Sequence, residues 1–274
     1  MPSGLNGDMQ SQLSLGQREA LARQDAPFPA TSLIAGNPQS FEAHLRQAAR
    51  LMVQTSASPS GRLVRHVTDL FERSVPESAR AKLACRSGCA FCCHQPVRVS
   101  APEAFFLAAQ LRERPDTAAA VRDAAIALAG RNPETPRTAW SVAWLRCPLL
   151  DRGDGCSVHA ARPFSCHGHV SLDAQDCKAS YTPGGAWSVR EPALYDDLRN
   201  SWRLILQAAL RLNGLSDAHY ELNAALDLVL QTENAEKRWL GGENIFATVK
   251  ALSPNKPEIE QILALIDARI GPTL

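Results

Sequence analysis

The stretch CRSGCAFCC, residues 85–93, decides how the rest of this chain is read. It places Cys85, Cys89, Cys92 and Cys93 within nine residues, with Gly88 inside and Pro96 just beyond. Such a segment cannot be one regular helix; converging thiols need tight local turns. A second group follows after a spacer: Cys147-Pro148-Leu149-Leu150, then Cys156-Ser157-Val158-His159, then Arg162-Pro163 and Cys166. Cys177 comes shortly after, and neither residues 1–84 nor residues 178–274 contain a cysteine. Thiolates at gaps of two and three residues can face one metal centre, and soft sulfur selects zinc, copper(I) or iron–sulfur clusters. The clustering therefore predicts a metal-binding protein.

Working outward, the spacing of Cys85, Cys89 and Cys92 lets three sulfurs face one point. Cys93 is expected to diverge from Cys92, because adjacent side chains point apart in any regular backbone. Only an unusual turn would let both serve one ion. A further ligand is then expected from Cys147, Cys156 or Cys166, with Cys166 favoured, which would pin two loops together and order an irregular segment of some forty residues. Cys177, the most isolated, reads equally well as a small buried hydrophobe. His94, His159, His167 and His169 adjoin the clusters and could complete a mixed site, although each alone reads as a polar surface residue. Glu103 reads as a helix cap, and His44, His66 and His219 are placed on helices and assigned nothing.

Composition narrows the compartment and the partners. The 274 residues carry a net charge of +1, with 45% hydrophobic and 21% charged residues, as in ordinary globular proteins. Nothing in that balance argues for nucleic acid or a membrane surface. Residues 1–30 show no basic segment followed by an apolar run, and no stretch approaches eighteen apolar residues. The sequence therefore predicts a cytoplasmic protein with reduced cysteines, where structural disulfides are rare.

The flanks read as helices. Residues 1–36 look like a flexible tail rich in Ser, Gln, Gly and Pro. Asn37-Pro38 reads as a helix start, followed by Phe41, Leu45, Ala48, Ala49 and Met52 at helical spacing. Ser58-Pro59-Ser60-Gly61 reads as a break before a second helix bearing Leu63, Val67, Leu70 and Phe71. Val97-Arg98-Val99 is a short extended piece, and Ser100-Ala101-Pro102-Glu103 matches a capping box. Helices are expected behind it and over about 116–129, ending at Gly130. Beyond the second cluster, Leu198, Trp202, Ile205, Ala209 and Leu212 mark a helix stopped by Gly214. Ser216 reads as the cap of the next, with Leu222, Leu226 and Val229, and Ile259, Ile262, Leu263, Ile266 and Ile270 mark the last. No alternation adequate for a sheet is present. The expected fold is mainly α: one helical domain over 37–274 around an irregular cysteine-rich metal-binding segment, 80–177.

Taken together, Cys85, Cys89, Cys92, Cys93, Val97-x-Val99-x3-Glu103, Cys147-Pro148-Leu149-Leu150, Cys156-Ser157-Val158, Arg162-Pro163 and Cys166 resemble the YkgJ-type cysteine-cluster family, described as a zinc- or iron-chelating domain. The resemblance covers roughly residues 80–170. It implies an iron or zinc centre, and through the related cysteine-rich domain of flagellin lysine N-methylases it implies a link to protein methylation and an iron–sulfur cluster. His159 stands where the family tends to have tyrosine, and His167 where it tends to have arginine. Cys85-x3-Cys89-x-Phe91-Cys92 also fits the spacing of radical S-adenosylmethionine enzymes, but that family follows the motif with alternating strands and helices and this chain does not.

The reading is a metal-binding protein that chelates an iron–sulfur cluster or zinc through Cys85, Cys89, Cys92, Cys93, Cys147, Cys156 and Cys166. Two other classes compete with it: an iron–sulfur redox protein or protein-lysine methylase-like enzyme, and a structural zinc module that presents its helices to a protein partner. Against the methylase, no glycine-rich strand–loop–helix for S-adenosylmethionine is present.

Overall fold

The computed structural model describes residues 38–53, 58–129, 146–181, 189–252 and 257–271. The expected tail, the Asn37 cap and the stop at Gly130 lie outside them. The described residues form α1 (Pro38–Val53), α2 (Pro59–Ser74), α3 (Glu77–Arg80), α4 (Ala101–Leu111), α5 (Pro115–Leu128), α6 (Phe164–Gly168), α7 (Ala174–Tyr181), α8 (Ala193–Leu212), α9 (Leu222–Gln231), α10 (Ala235–Leu240) and α11 (Pro257–Ile270). The fold is mainly α, as the sequence predicts.

The spine is α8. Its periodic face buries Tyr195, Leu198, Trp202, Ile205 and Ala209, and it packs against α1, α2, α6 and α11. Each such large apolar side chain contributes about 1.5–3 kcal/mol on burial. The helix ends where the sequence says it must. Gly214 takes φ +67°, Leu215 N–H donates to Leu210 O and Gly214 N–H to Arg211 O. That pair of bonds is a Schellman closure, which needs a left-handed residue and therefore favours glycine. A second layer holds α4 between α2 and α9, with α5 against α9.

Three local expectations are corrected. Pro59, Ser60 and Gly61 do not break the chain; they form the first turn of α2, with Ser58 as N-cap and its Oγ accepting from Gly61 N–H. Proline at the first helical position costs nothing, since its missing N–H would have had no helical partner. Ser216 does not cap a helix; its Oγ accepts from Ala218 N–H in a turn. The chain then enters β2 (His219–Glu221), so His219 lies on a strand, and Glu221 caps α9 by accepting from Asn223 and Ala224 N–H. Finally, β1 (Arg98–Ser100) and β2 pair antiparallel with Val99 opposite Tyr220. Three residues per strand are too few to show an alternation, which is why the ladder left no trace in the sequence pattern.

The ladder positions the cysteine region. Leu222 N–H donates to Val97 O, extending the pairing to the edge of the first cluster. Glu103 accepts from Ser100 N–H and Oγ, both at 2.7 Å, as a capping glutamate does. Its other oxygen accepts from Phe164 N–H at 2.7 Å. Glu103 is thus more than the cap expected of it. It is a buried clamp that ties the start of α6, and Cys166 with it, to the helix behind the first cluster.

Candidate metal centre

Hydrogen bonds within the loops and between them hold the segments that carry the cysteines. Cys89 N–H donates to Arg86 O across a turn in which Gly88 adopts φ +78°. Phe91–His94 is a single 3-10 turn in which Cys93 departs from helical angles, at φ −80° and ψ 19°. Cys147 N–H donates to Cys93 O at 2.7 Å, the first direct link between the two clusters. Leu150 and Cys156 then face each other across a narrow loop, closed by Ser157 N–H to Leu149 O and Asp151 N–H to Gly155 O. The Asp151 carboxylate fills the loop and accepts from Gly153 and Gly155 N–H. Cys166 lies in α6, which docks so tightly on α8 that a Cβ on Gly168 would fall 2.9 Å or less from three side-chain carbons of Arg199.

These turns bring all eight cysteines, as free thiols, to the wall of one cavity of about 610 Å³. Cys92 interacts with the widest set of the other cysteines. Its thiol is hydrogen-bonded with that of Cys93. It lies within electrostatic reach of Cys85, Cys147, Cys156, Cys166 and Cys177. The expectation that Cys93 diverges from Cys92 is therefore corrected: the departure from helical geometry at Cys93 is the unusual turn that such convergence needs.

Cys177 is the residue that sequence reasoning undervalued. It is buried, as expected of a small hydrophobe, but it borders the cavity, and its thiol is hydrogen-bonded with Ser171. Ser171 also donates its N–H to Cys85 Sγ at 3.3 Å, so one residue ties the last cysteine to the first. Its distance from both clusters hid this, since only the fold of α7 against the Phe91–His94 turn brings it back.

The surroundings favour neutral thiols in the absence of a cation. Hydrogen bonding to Cys93 and then burial push the Cys92 thiol upward. Burial raises Cys147 to about 11 and Cys166 well above the ordinary thiol range. The Arg162 guanidinium opposes this at Cys92, Cys156 and Cys166, and its buried Nε has no hydrogen-bond partner. A bound metal would reverse the balance, since thiolates form by handing their protons to solvent as the cation enters.

The histidines divide. His94 turns back on its own loop, with Nδ1 3.0 Å from Ala90 O. His159 is exposed at the rim. His169 Nδ1 pairs with Glu191 at 2.5 Å. His167 is buried, with Nδ1 3.2 Å from Glu72 Oε1. Hydrogen bonding from His167, reinforced by Arg80, holds the Glu72 carboxyl down at about 2.

In donor chemistry the wall fits zinc or iron, offering thiols and imidazoles. In arrangement it is open: among the described residues, no three or more His, Cys, Asp or Glu side chains form a group that could hold one ion. The sulfurs ring a chamber rather than a point.

The described part of the molecule is thus a helical scaffold around a thiol-lined chamber. Residues 84–181 match the CxxCxxCC family, described as "Putative zinc- or iron-chelating domain". This bears out the family resemblance and carries the metal-binding reading, and the matched span includes Cys177. No curated protein and no solved structure matches the chain. Among the described residues no helix is long and apolar enough to cross a membrane.

Proposed function

We propose that the chamber holds an iron–sulfur cluster ligated by cysteines from both groups, and that the protein works through that centre. The observation that carries this reading is one cavity of about 610 Å³ bordered by eight thiols that, among the described residues, are spread around its wall rather than gathered three or more about one ion. A lone zinc ion needs four donors at about 2.3 Å from one point. A cluster binds its cysteines through different irons, so its ligating sulfurs stand further apart. The candidate ligands are Cys85, Cys89, Cys92, Cys93, Cys147, Cys156 and Cys166, now joined by Cys177. When bound, such a cluster supplies one-electron chemistry.

The chain's own residues shape that site. Arg162 faces Cys92, Cys156 and Cys166 with a fixed positive charge and offsets the negative charge of the thiolates. Val97, Leu149 and Leu222 line the wall and limit water, and such shells set a metal's potential as much as its ligands do. The test is elemental analysis with a visible spectrum of anaerobically purified protein. Iron with broad visible absorption supports the reading. Colourless protein holding zinc would overturn the cluster, and protein free of metal would overturn the centre itself.

A further inference from the structure

His167 is nine-tenths buried, at 7% exposure, and borders the same cavity as the eight thiols. Its Nδ1 faces Glu72 Oε1 at 3.2 Å. Glu72 is itself fixed, since its Oε2 accepts from Arg80 Nη1 at 2.6 Å and its backbone carbonyl accepts from Arg80 Nη2. A carboxylate can only accept, so Nδ1 carries the proton and Nε2 carries the lone pair. That Nε2 is buried and has no hydrogen-bond partner. A buried polar atom left unsatisfied costs about 1–3 kcal/mol, and in a native protein it calls for an explanation such as an ion.

We infer that His167 Nε2 is a nitrogen ligand of the centre in the thiol chamber, with Glu72 as the carboxylate that orients it. The inference rests on the metal-centre reading and adds a ligand to it. Imidazole ligands ordinarily donate their second ring nitrogen to a carboxylate, carbonyl or water, which fixes tautomer and ring angle. Arg80, Glu72 and His167 form such a chain, ending at the cavity wall beside Cys166. His169 has a carboxylate of its own in Glu191 but is less deeply buried, and no orphaned nitrogen marks it out. The site is therefore of mixed sulfur and nitrogen character.

The test is X-ray absorption at the edge of whichever metal elemental analysis finds in the wild-type protein, with His167→Ala, His167→Gln and Glu72→Gln beside it. Circular dichroism checks that each variant folds. Wild type should show imidazole scattering in addition to sulfur, at about 2.0–2.1 Å if the metal is zinc. Both His167 variants should lose it. Glu72→Gln should keep it but retain metal about ten- to a hundredfold less tightly. A metal-loaded wild type with sulfur ligands alone overturns the inference whatever the variants do, and so does imidazole scattering that survives in either His167 variant. Wild type with no bound metal contradicts the chamber reading itself, and the ligand with it.

Discussion

At the scale of single residues, two side chains make opposite demands on the fold. Cys92 is the sulfur that both cysteine groups face, so Cys92→Ser should strip the protein of most of its metal. Cys85→Ser and Cys89→Ser should each cut it severely, and metal content per chain after anaerobic purification reads this directly. Full occupancy in all three variants would show that the first group does not ligate. Asp267 lies on α11, in the C-terminal flank that carries no cysteine. Burial, with Asp217 and Glu260 nearby, raises its carboxyl to about 6 despite the pull of Arg211, and its Oδ1 is buried without a hydrogen-bond partner. A carboxyl that titrates higher folded than unfolded, where it sits near about 3.9, favours the fold while protonated. That contribution is complete below pH 4 and is lost as the pH rises through 6. Asp267→Asn should therefore raise the melting temperature by about 2–4 °C at pH 8 and change it little at pH 4. An equal shift at both pH values would show that charge is not the cause. Neither residue's setting was legible in sequence: Cys92 meets Cys93 through the angles of one turn, and Asp267 is buried by the packing of α11 on α8.

At the scale of elements, what the sequence disclosed and what it hid separate along a physical line. Helices with a long apolar stripe were legible, α1 and α8 above all, because a 3.6-residue period repeats over several turns. So were the Gly214 stop and the reach of Glu103 back to Ser100, which depend on neighbours in the chain. The β1–β2 ladder was not, because each strand pairs with a partner more than a hundred residues away. The cap supplied by Glu221 is local, but Ser216 offers itself first as the cap and misplaces the start of α9. The second bond of Glu103, to Phe164 N–H, belongs with the ladder: it crosses 61 positions and joins the two cysteine groups. Removing it tests how far the scaffold shapes the site. Glu103→Ala leaves buried donors at Ser100 and Phe164 unsatisfied and should cost about 1.5–3 kcal/mol by denaturant unfolding. It should also loosen metal retention, because α6 carries Cys166. Unchanged metal binding in a destabilised protein would show that α6 does not need this clamp to present its cysteine.

At the scale of the whole molecule, the helices serve the chamber by holding apart two loop regions that then close on each other. Spacing alone pointed to that closure, since three thiols in residues 85–92 leave a coordination position to be filled from elsewhere. The structure supplies its geometry in the bond from Cys147 to Cys93 O and in the sulfurs gathered around Cys92. What spacing could not supply was the number of thiols involved or the width of the space between them, because both follow from how α6 and α7 fold back over the first cluster. The central claim is one centre built from both groups. Anomalous diffraction from crystals of the metal-loaded protein, collected at the edge of the bound metal, tests it most directly. The account expects a single peak cluster in the chamber, bonded to at least one sulfur among Cys85, Cys89 and Cys92 and to at least one among Cys147, Cys156 and Cys166. Two separate metal sites, or a centre with every sulfur of the second group more than about 10 Å from Cys85, Cys89 and Cys92, well beyond any thiolate–metal bond, would contradict it.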